Sequence, residues 1–255
     1  MEEETKGRMY TKAIDLREFY DSTRGRVAQR IVRQHVRNLW PNTAGLRVLG
    51  LGYAVPYLKP FVGEAERVAA LMPSHQGAIF WPPDDKGLVS MCNEGELPIE
   101  TNSIDRLLIV HGLQGYESLD AVLRESWRVL SGQGRLMIVV PNRTGIWARV
   151  DSTPFGYGTP YSVGQVWQFL KDYLFVPEKA ERALFVPPTT SRLVLATAPV
   201  WEKIGPKFMG AFAGVNIIEA SKQLYAGTMV GATSPSAVHA HRRRVAQAGP
   251  LSREG

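Results

Sequence analysis

Residues Leu97 to Asn142 read LPIETNSIDRLLIVHGLQGYESLDAVLRESWRVLSGQGRLMIVVPN, and this stretch decides the fold. Ile104 to Val110 is a short β-branched run that follows the turn-forming Thr101-Asn102-Ser103, so it reads as a buried strand. Leu119, Val122, Leu123, Trp127 and Leu130 recur at helical spacing, and Gly132 and Gly134 then stop the helix. Gly134 to Pro141 is a second buried strand. A strand, helix and strand of this length with no hairpin signal predict a right-handed crossover between two parallel strands.

In order, Leu97-Pro98, Asn102-Ser103-Ile104-Asp105, His111-Gly112-Leu113, Arg128-Val129-Leu130, Gly134-Arg135-Leu136 and Pro141-Asn142 span this stretch. Together they resemble the fourth and fifth strand region of class I S-adenosylmethionine-dependent methyltransferases, in their small-molecule (type 11) branch. The resemblance extends over roughly residues 44 to 222. It implies an α/β fold: a doubly wound, seven-stranded, mainly parallel sheet, here with an N-terminal helical extension. Ligand would then lie outside the carboxyl ends of the strands, where the strand order reverses.

The composition agrees with one such domain. A chain of 255 residues, 44% apolar and 21% charged, can bury a substantial core. No run approaches the roughly 18 to 20 apolar residues of a membrane span. Met1-Glu2-Glu3-Glu4 is acidic where a secretory signal is basic and then apolar, and Cys92 is the only cysteine. These features predict a cytoplasmic protein without an internal disulfide. The expected organisation is a helical extension over 1–43, an α/β domain over 44–226 and a disordered tail over 227–255, where Gly, Ser, Thr, Pro and Ala accumulate.

Upstream of the deciding stretch, Asp15 to Asp21 predicts a short helix, and Ser22-Thr23 caps a longer one from Arg24 to Trp40. Arg26, Arg30, Arg33 and Arg37 share one narrow stripe of that helix. The stripe reads either as a solvated face or as a docking site for phosphate, acidic protein or anionic lipid. Strands are predicted over 46–51, 66–72 and 87–92. Downstream, a helix is predicted over 162–173, a strand over 181–186, helix over 191–208 and a last strand over 215–225. The resemblance places that last strand antiparallel at the sheet edge.

The predicted site follows from the same comparison of motifs. Gly50, Gly52 and Ala54 keep the small residues of the glycine-rich turn that lets backbone approach a ligand. The family's acidic residue for the ligand's ammonium falls on Gly50, however, and its last glycine falls on Pro56. The strand that usually ends in a ribose-binding acid ends here in Leu71-Met72-Pro73, with Ser74 and His75 beside it. Asn93 falls where an aspartate faces the adenine amine and can still accept that hydrogen bond, with Glu94 and Glu96 as nearby acids. The cofactor-site candidates are therefore Gly50, Gly52, Ala54, Asn93, Glu94 and His111.

His111 is also the one catalytic candidate, as a general base or as a group that orients a substrate oxygen. The bland alternative is a histidine that bonds the turn. Gln114, Asn142 and Tyr157 are the substrate-site candidates. The aromatics Trp147, Phe155, Tyr157 and Tyr161 either cover the substrate or pack on the sheet. No metal-ligand spacing occurs.

Two of the family's ligand-binding side chains are lost and a third is altered. The expected function is thus a methyltransferase-family protein with a degraded cofactor site, in which S-adenosylmethionine binds weakly or not at all and transfer to a small molecule is slow or lost. The alternative is a non-catalytic partner or regulatory protein. A small-molecule substrate and a protein partner are the expected partners. Nucleic acid or a membrane surface, through the arginine stripe or Arg242-Arg243-Arg244, is the weaker expectation.

Overall fold

The computed structural model describes residues 12–83, 87–113, 116–157 and 159–224, with only the backbone for 116–118. Gln114 and the predicted tail lie outside the described residues. Strands β1 (Arg47–Gly52), β2 (Arg67–Pro73), β3 (Val89–Cys92), β4 (Ile104–Val110), β5 (Leu130–Pro141), β6 (Phe175–Ala183) and β7 (Val215–Lys222) form one sheet in the order β3-β2-β1-β4-β5-β7-β6. The first five pair in parallel, and β7 pairs antiparallel with both β5 and β6. The order reverses between β1 and β4, and this is the expected doubly wound sheet with its switch point.

Strand side chains alternate between two cores, as the period of 2 requires. Val48, Leu108, Val110, Met137 and Val139 enter one core, while Leu49, Leu51, Leu107, Ile109, Leu136 and Ile138 enter the other. The first is covered by α1 (Ala13–Asp21), α2 (Thr23–Leu39), α3 (Val55–Leu58), α6 (Arg192–Ala196) and α7 (Ala198–Phe208). The second is covered by α4 (Tyr116–Val129) and α5 (Val163–Asp172).

The N-terminal helices are part of the first core. Leu16, Phe19 and Tyr20 of α1 and Ala28, Val32, Val36 and Leu39 of α2 are buried with strand residues. Ser22 separates the two helices and caps α2 by accepting from the Gly25 amide at 3.0 Å. The corner is so tight that a Cβ on Gly25 would lie 1.9 Å from the Phe19 carbonyl oxygen. At the far end of α2, the buried Glu219 of β7 accepts from Trp40 Nε1 at 2.9 Å and lies 3.4 Å from Arg135 of β5. On the arginine stripe, Arg37 is held by Glu64 at 2.6 Å, while Arg26 and Arg30 are exposed.

Several details differ from the sequence reading. The sixth strand is Phe175–Ala183 rather than 181–186, because an edge strand pairs on one side only and tolerates the charged run Glu178-Lys179. Leu184, Phe185 and Val186 are buried beyond that strand, and Leu184 has a positive φ of 63°. β7 is internal, between β5 and β6, and not at the edge. The 191–208 helix is split at Thr197, with Pro199 in the first turn of α7, where a missing amide costs nothing. Gly132 and Gly134 lie within β5, which starts directly after α4. Among the described residues no helix is long and apolar enough to cross a membrane.

The phrases around Leu97 and Arg128 are joined by one clasp. Arg128 donates to Glu125 through Nε and Nη2 at 2.7 Å each and to the Leu97 and Ile99 carbonyls at 2.9 and 2.8 Å. Glu125 in turn accepts from the Leu97 amide at 2.7 Å. Charge-assisted bonds of this kind contribute roughly 1.5–3 kcal/mol when shielded, and less at a partly exposed site. Arg128→Ala is expected to lower unfolding free energy in urea by about 2 kcal/mol. Arg124→Ala removes an exposed pair with Asp120 and is expected to change it by less than about 0.5 kcal/mol.

Candidate functional site

The carboxyl ends of β1 and β4 meet at the switch point, and their junction is tight. Gly52 has φ of 77°, and a Cβ there would lie 2.4 Å from the Val110 carbonyl oxygen and 2.8 Å from Gly112. The next amide, of Tyr53, donates to the same Val110 oxygen at 2.7 Å. Gly50 sits one pleat earlier, where a Cβ would meet Leu58 Cδ1 at 2.7 Å and Ala54 Cβ at 2.8 Å. Both glycines are therefore required by the protein's own packing. Ala54 is fully buried at the start of α3.

Beyond this junction lies a cluster of aromatic side chains that the sequence reading did not identify. Tyr20 reaches in from α1, with its ring parallel to Tyr53 at 5.7 Å between centroids and edge-on to Tyr57 at 6.0 Å. Its hydroxyl lies 2.8 Å from the Tyr57 hydroxyl and 2.7 Å from His111 Nε2. Phe155 packs against the His111 ring at 5.2 Å and against Phe19 and Trp147 at 6.1 and 5.5 Å. Tyr20, Tyr53, Tyr57, Phe155 and Trp147 are all buried.

The cluster is also tied at its rim. The Ala13 amide at the start of α1 donates to the Gln76 carbonyl at 2.7 Å, and the buried Gln76 side chain donates through Nε2 to the His111 carbonyl at 3.1 Å. Helix α1, the loop after β2 and the end of β4 are thereby joined over the strand ends. The sequence signal for this arrangement was present in Tyr53 and Tyr57, bulky residues four apart in a turn that otherwise uses small ones. Nothing in the sequence linked Tyr20 to them across 33 residues.

Electrostatics keep the cluster neutral. Burial pushes the pKa of Tyr20, Tyr53 and Tyr57 above the ordinary phenol value, and burial pushes His111 down to about 4. With all groups neutral, Tyr57 can donate to Tyr20 and Tyr20 to His111 Nε2, an order that uses each hydroxyl proton once. His111 itself has a positive φ of 51°, so the turn after β4 aims its ring at Tyr20. Its Nε2 is occupied by a neighbouring hydroxyl.

The other candidates are dispersed along the same edge. Asn93 and Glu94 follow β3, three strand spacings from β4, or roughly 14 Å. Asn93 is exposed, and its Oδ1 accepts from the Gly95 amide at 3.0 Å in a local turn. The Glu94 carboxylate lies 3.5 Å from His75 Nδ1. Asn142 is buried after β5, donating through Nδ2 to the Ala211 and Ala213 carbonyls at 3.0 and 2.9 Å, while its Oδ1 lies 3.3 Å from Asn216 Nδ2. It braces the β5 end against the approach to β7. Of the aromatics in the 143–161 segment, Trp147, Phe155 and Tyr161 are buried and Tyr157 is half-buried. Gln114 lies outside the described residues.

No protein-family model matches the sequence, and no curated protein does. The folded chain, in contrast, is similar to solved methyltransferase structures. A S-adenosylmethionine-dependent methyltransferase from Thermotoga maritima superposes with a TM-score of 0.55 at 13% identity, over 84% of this chain and 97% of that one. One from Archaeoglobus fulgidus gives 0.53 at 16%, over 75% and 93%. SpnF, described as a [4+2]-cyclase, gives 0.53 at 20%, over 78% and 82%. The fold is thus the Rossmann-like fold of class I methyltransferases, reached at identities that speak for architecture alone.

The His111 shift has a pH consequence. Its folded-state pKa is near 4, and an unfolded histidine titrates near 6.5, so between these values the unfolded state binds more protons. The stabilising contribution is fully present above about pH 6.5 and is lost as pH falls toward 4. Urea titrations at several pH values in that window are expected to show the wild type losing on the order of 1–3 kcal/mol more than His111→Asn. The His111 ring proton resonances should titrate near 4 in NMR spectra.

Proposed function

We propose that this chain is a methyltransferase-fold protein with a degraded S-adenosylmethionine site, in which methyl transfer to a small molecule is weak or lost. The alternative is a non-catalytic partner or regulatory protein. The observation that carries the proposal is the Tyr20-Tyr57-His111 cluster, which occupies the space outside the carboxyl ends of β1 and β4. In a doubly wound sheet that space is where ligand binds. A second support is Gly50. It has no side chain for the ammonium, and the volume a side chain would take is filled by Leu58 and Ala54.

The residues present therefore do not suit the cofactor. The first strand end lacks a carboxylate for the ammonium, the second ends in Pro73 with no bidentate acceptor for the ribose, and the Asn93 oxygen is engaged with Gly95. Hydrogen bonds to charged groups contribute roughly 1.5–3 kcal/mol each. Losing two lowers affinity by about 3–6 kcal/mol, which takes a micromolar site at about −8 kcal/mol to millimolar or weaker. Glu94 beside His75, with Glu96 next to Asn93, is a carboxylate near enough to offset part of this loss. The likeness to SpnF supports keeping fold and reaction apart, since a protein described as a [4+2]-cyclase shares this architecture.

Isothermal titration calorimetry with S-adenosylmethionine and S-adenosylhomocysteine tests this reading without a known substrate. The expected result is no heat of binding up to about millimolar ligand, and no gain in melting temperature. Low-micromolar binding of either ligand would sink the proposal and restore an active methyltransferase.

A further inference from the structure

Helix α7 has an unusual distribution of side chains. Its inner face is fixed to the first core: Ala198 and Gly205 are buried, and a Cβ on Gly205 would lie 2.2 Å from the Phe185 ring. Glu202, the sole acid between Arg192 and Phe208, is turned toward the protein and accepts from the Phe185 amide at 2.7 Å. What remains for the outer face is apolar and basic. Val200, Ile204 and Phe208 recur every four residues at 56%, 45% and 80% exposure, beside exposed Lys203 and Lys207. On α6, Leu193 is 83% exposed next to exposed Arg192.

A helix normally turns its apolar stripe inward. Here the inward side is Ala198, Gly205 and the partly buried Trp201, and Val200, Ile204 and Phe208 point to solvent with cations alongside. Arg30 of α2 and Arg192 of α6 line the same groove, which has a volume near 320 Å³, so Arg30 extends the basic surface. We propose that the outer face of α6 and α7 docks on an anionic lipid bilayer, with Leu193, Val200, Ile204 and Phe208 entering the interface and Arg192, Lys203 and Lys207 on the headgroups.

Charge selects this occupant. Apolar side chains flanked by long basic ones suit a surface that is apolar inside and anionic outside, because lysine can bury its stem and keep its ammonium at the headgroups. A second copy of the chain would bring the same lysines face to face. Leu193 and Phe208 also stand free over four-fifths of their surface, as insertion requires, instead of lining a protein groove.

The test is co-sedimentation of the full-length protein with vesicles of phosphatidylcholine, with and without phosphatidylserine, at low salt. Binding is expected only with phosphatidylserine. Each lysine near an anionic surface contributes about fivefold, so Lys203→Glu with Lys207→Glu should weaken binding at least about tenfold. Leu193→Ser with Phe208→Ser should weaken it likewise, with circular dichroism unchanged because these side chains are exposed. No wild-type binding to phosphatidylserine vesicles overturns the proposal. So does binding that survives Leu193→Ser with Phe208→Ser, which would assign the attraction to basic residues elsewhere, including Arg242-Arg243-Arg244. A dimer that the same substitutions dissociate, without vesicle binding, would place a second copy on this face and equally overturn it.

Discussion

The approach of Gly52 to the Val110 carbonyl and Gly112 is the constraint on which the rest of this structure depends. A parallel β1-β4 pair needs its two exits to diverge, one into α3 and one into α4, at the point where the strand order reverses. Only a residue without a Cβ and with positive φ can turn away from β1 this close to β4. Once the turn is made, the Tyr53 amide is locked to Val110, α3 begins two residues later, and Tyr57 falls on the side of α3 that faces α1. The same turn therefore brings Tyr53 and Tyr57 to the switch point beside Tyr20.

Burying hydroxyls is unfavourable unless they find partners, and here they find one another. An unpaired buried hydroxyl or imidazole costs roughly 1–3 kcal/mol. The Tyr57 and Tyr20 hydroxyls and His111 Nε2 form a chain whose links are 2.8 and 2.7 Å. The aromatic surfaces of Phe19, Tyr53, Phe155 and Trp147 pack around that chain, and the desolvation of the half-buried His111 lowers its pKa below the usual histidine range. A histidine held in this way is suited to bracing a turn. Its low basicity and its engaged Nε2 both work against proton abstraction from a bound molecule.

The sheet was legible because its central strands are continuous apolar runs between turn residues, and buried parallel strands leave that mark. The Glu125-Arg128 clasp explains why the Leu97 and Arg128 phrases are informative together: each supplies what the other bonds. Edge elements were less legible. β6 pairs on one side only, so its charged run carries no hydrophobic period, and the apolar Leu184-Phe185-Val186 that follows looked more like a strand than the strand itself. The candidate site was read one residue at a time along the glycine-rich turn, and Gly50 and Gly52 do sit there. The contacts of Tyr20 with Tyr53, Tyr57 and His111 were not readable, because they depend on how α1 crosses the strand ends. Such long-range packing has no local signature.

Two packing features meet at the switch point, the tyrosine chain around Tyr20 and the contacts at Gly50. Tyr20 enters from α1, whose position is set by its own buried residues Leu16 and Phe19 and by the Ala13-Gln76 bond. Leu58 and Ala54 fill the space at Gly50 from within the turn and α3. Shortening Tyr20 would open a cavity beside His111 but would leave Gly50 without a carboxylate and without room for one. Introducing a carboxylate at Gly50 would press on Leu58 and leave the tyrosine chain in place. On the proposed reading, reopening a cofactor site here would need changes at both places, because the packing at each is stabilised by the same burial that stabilises the fold.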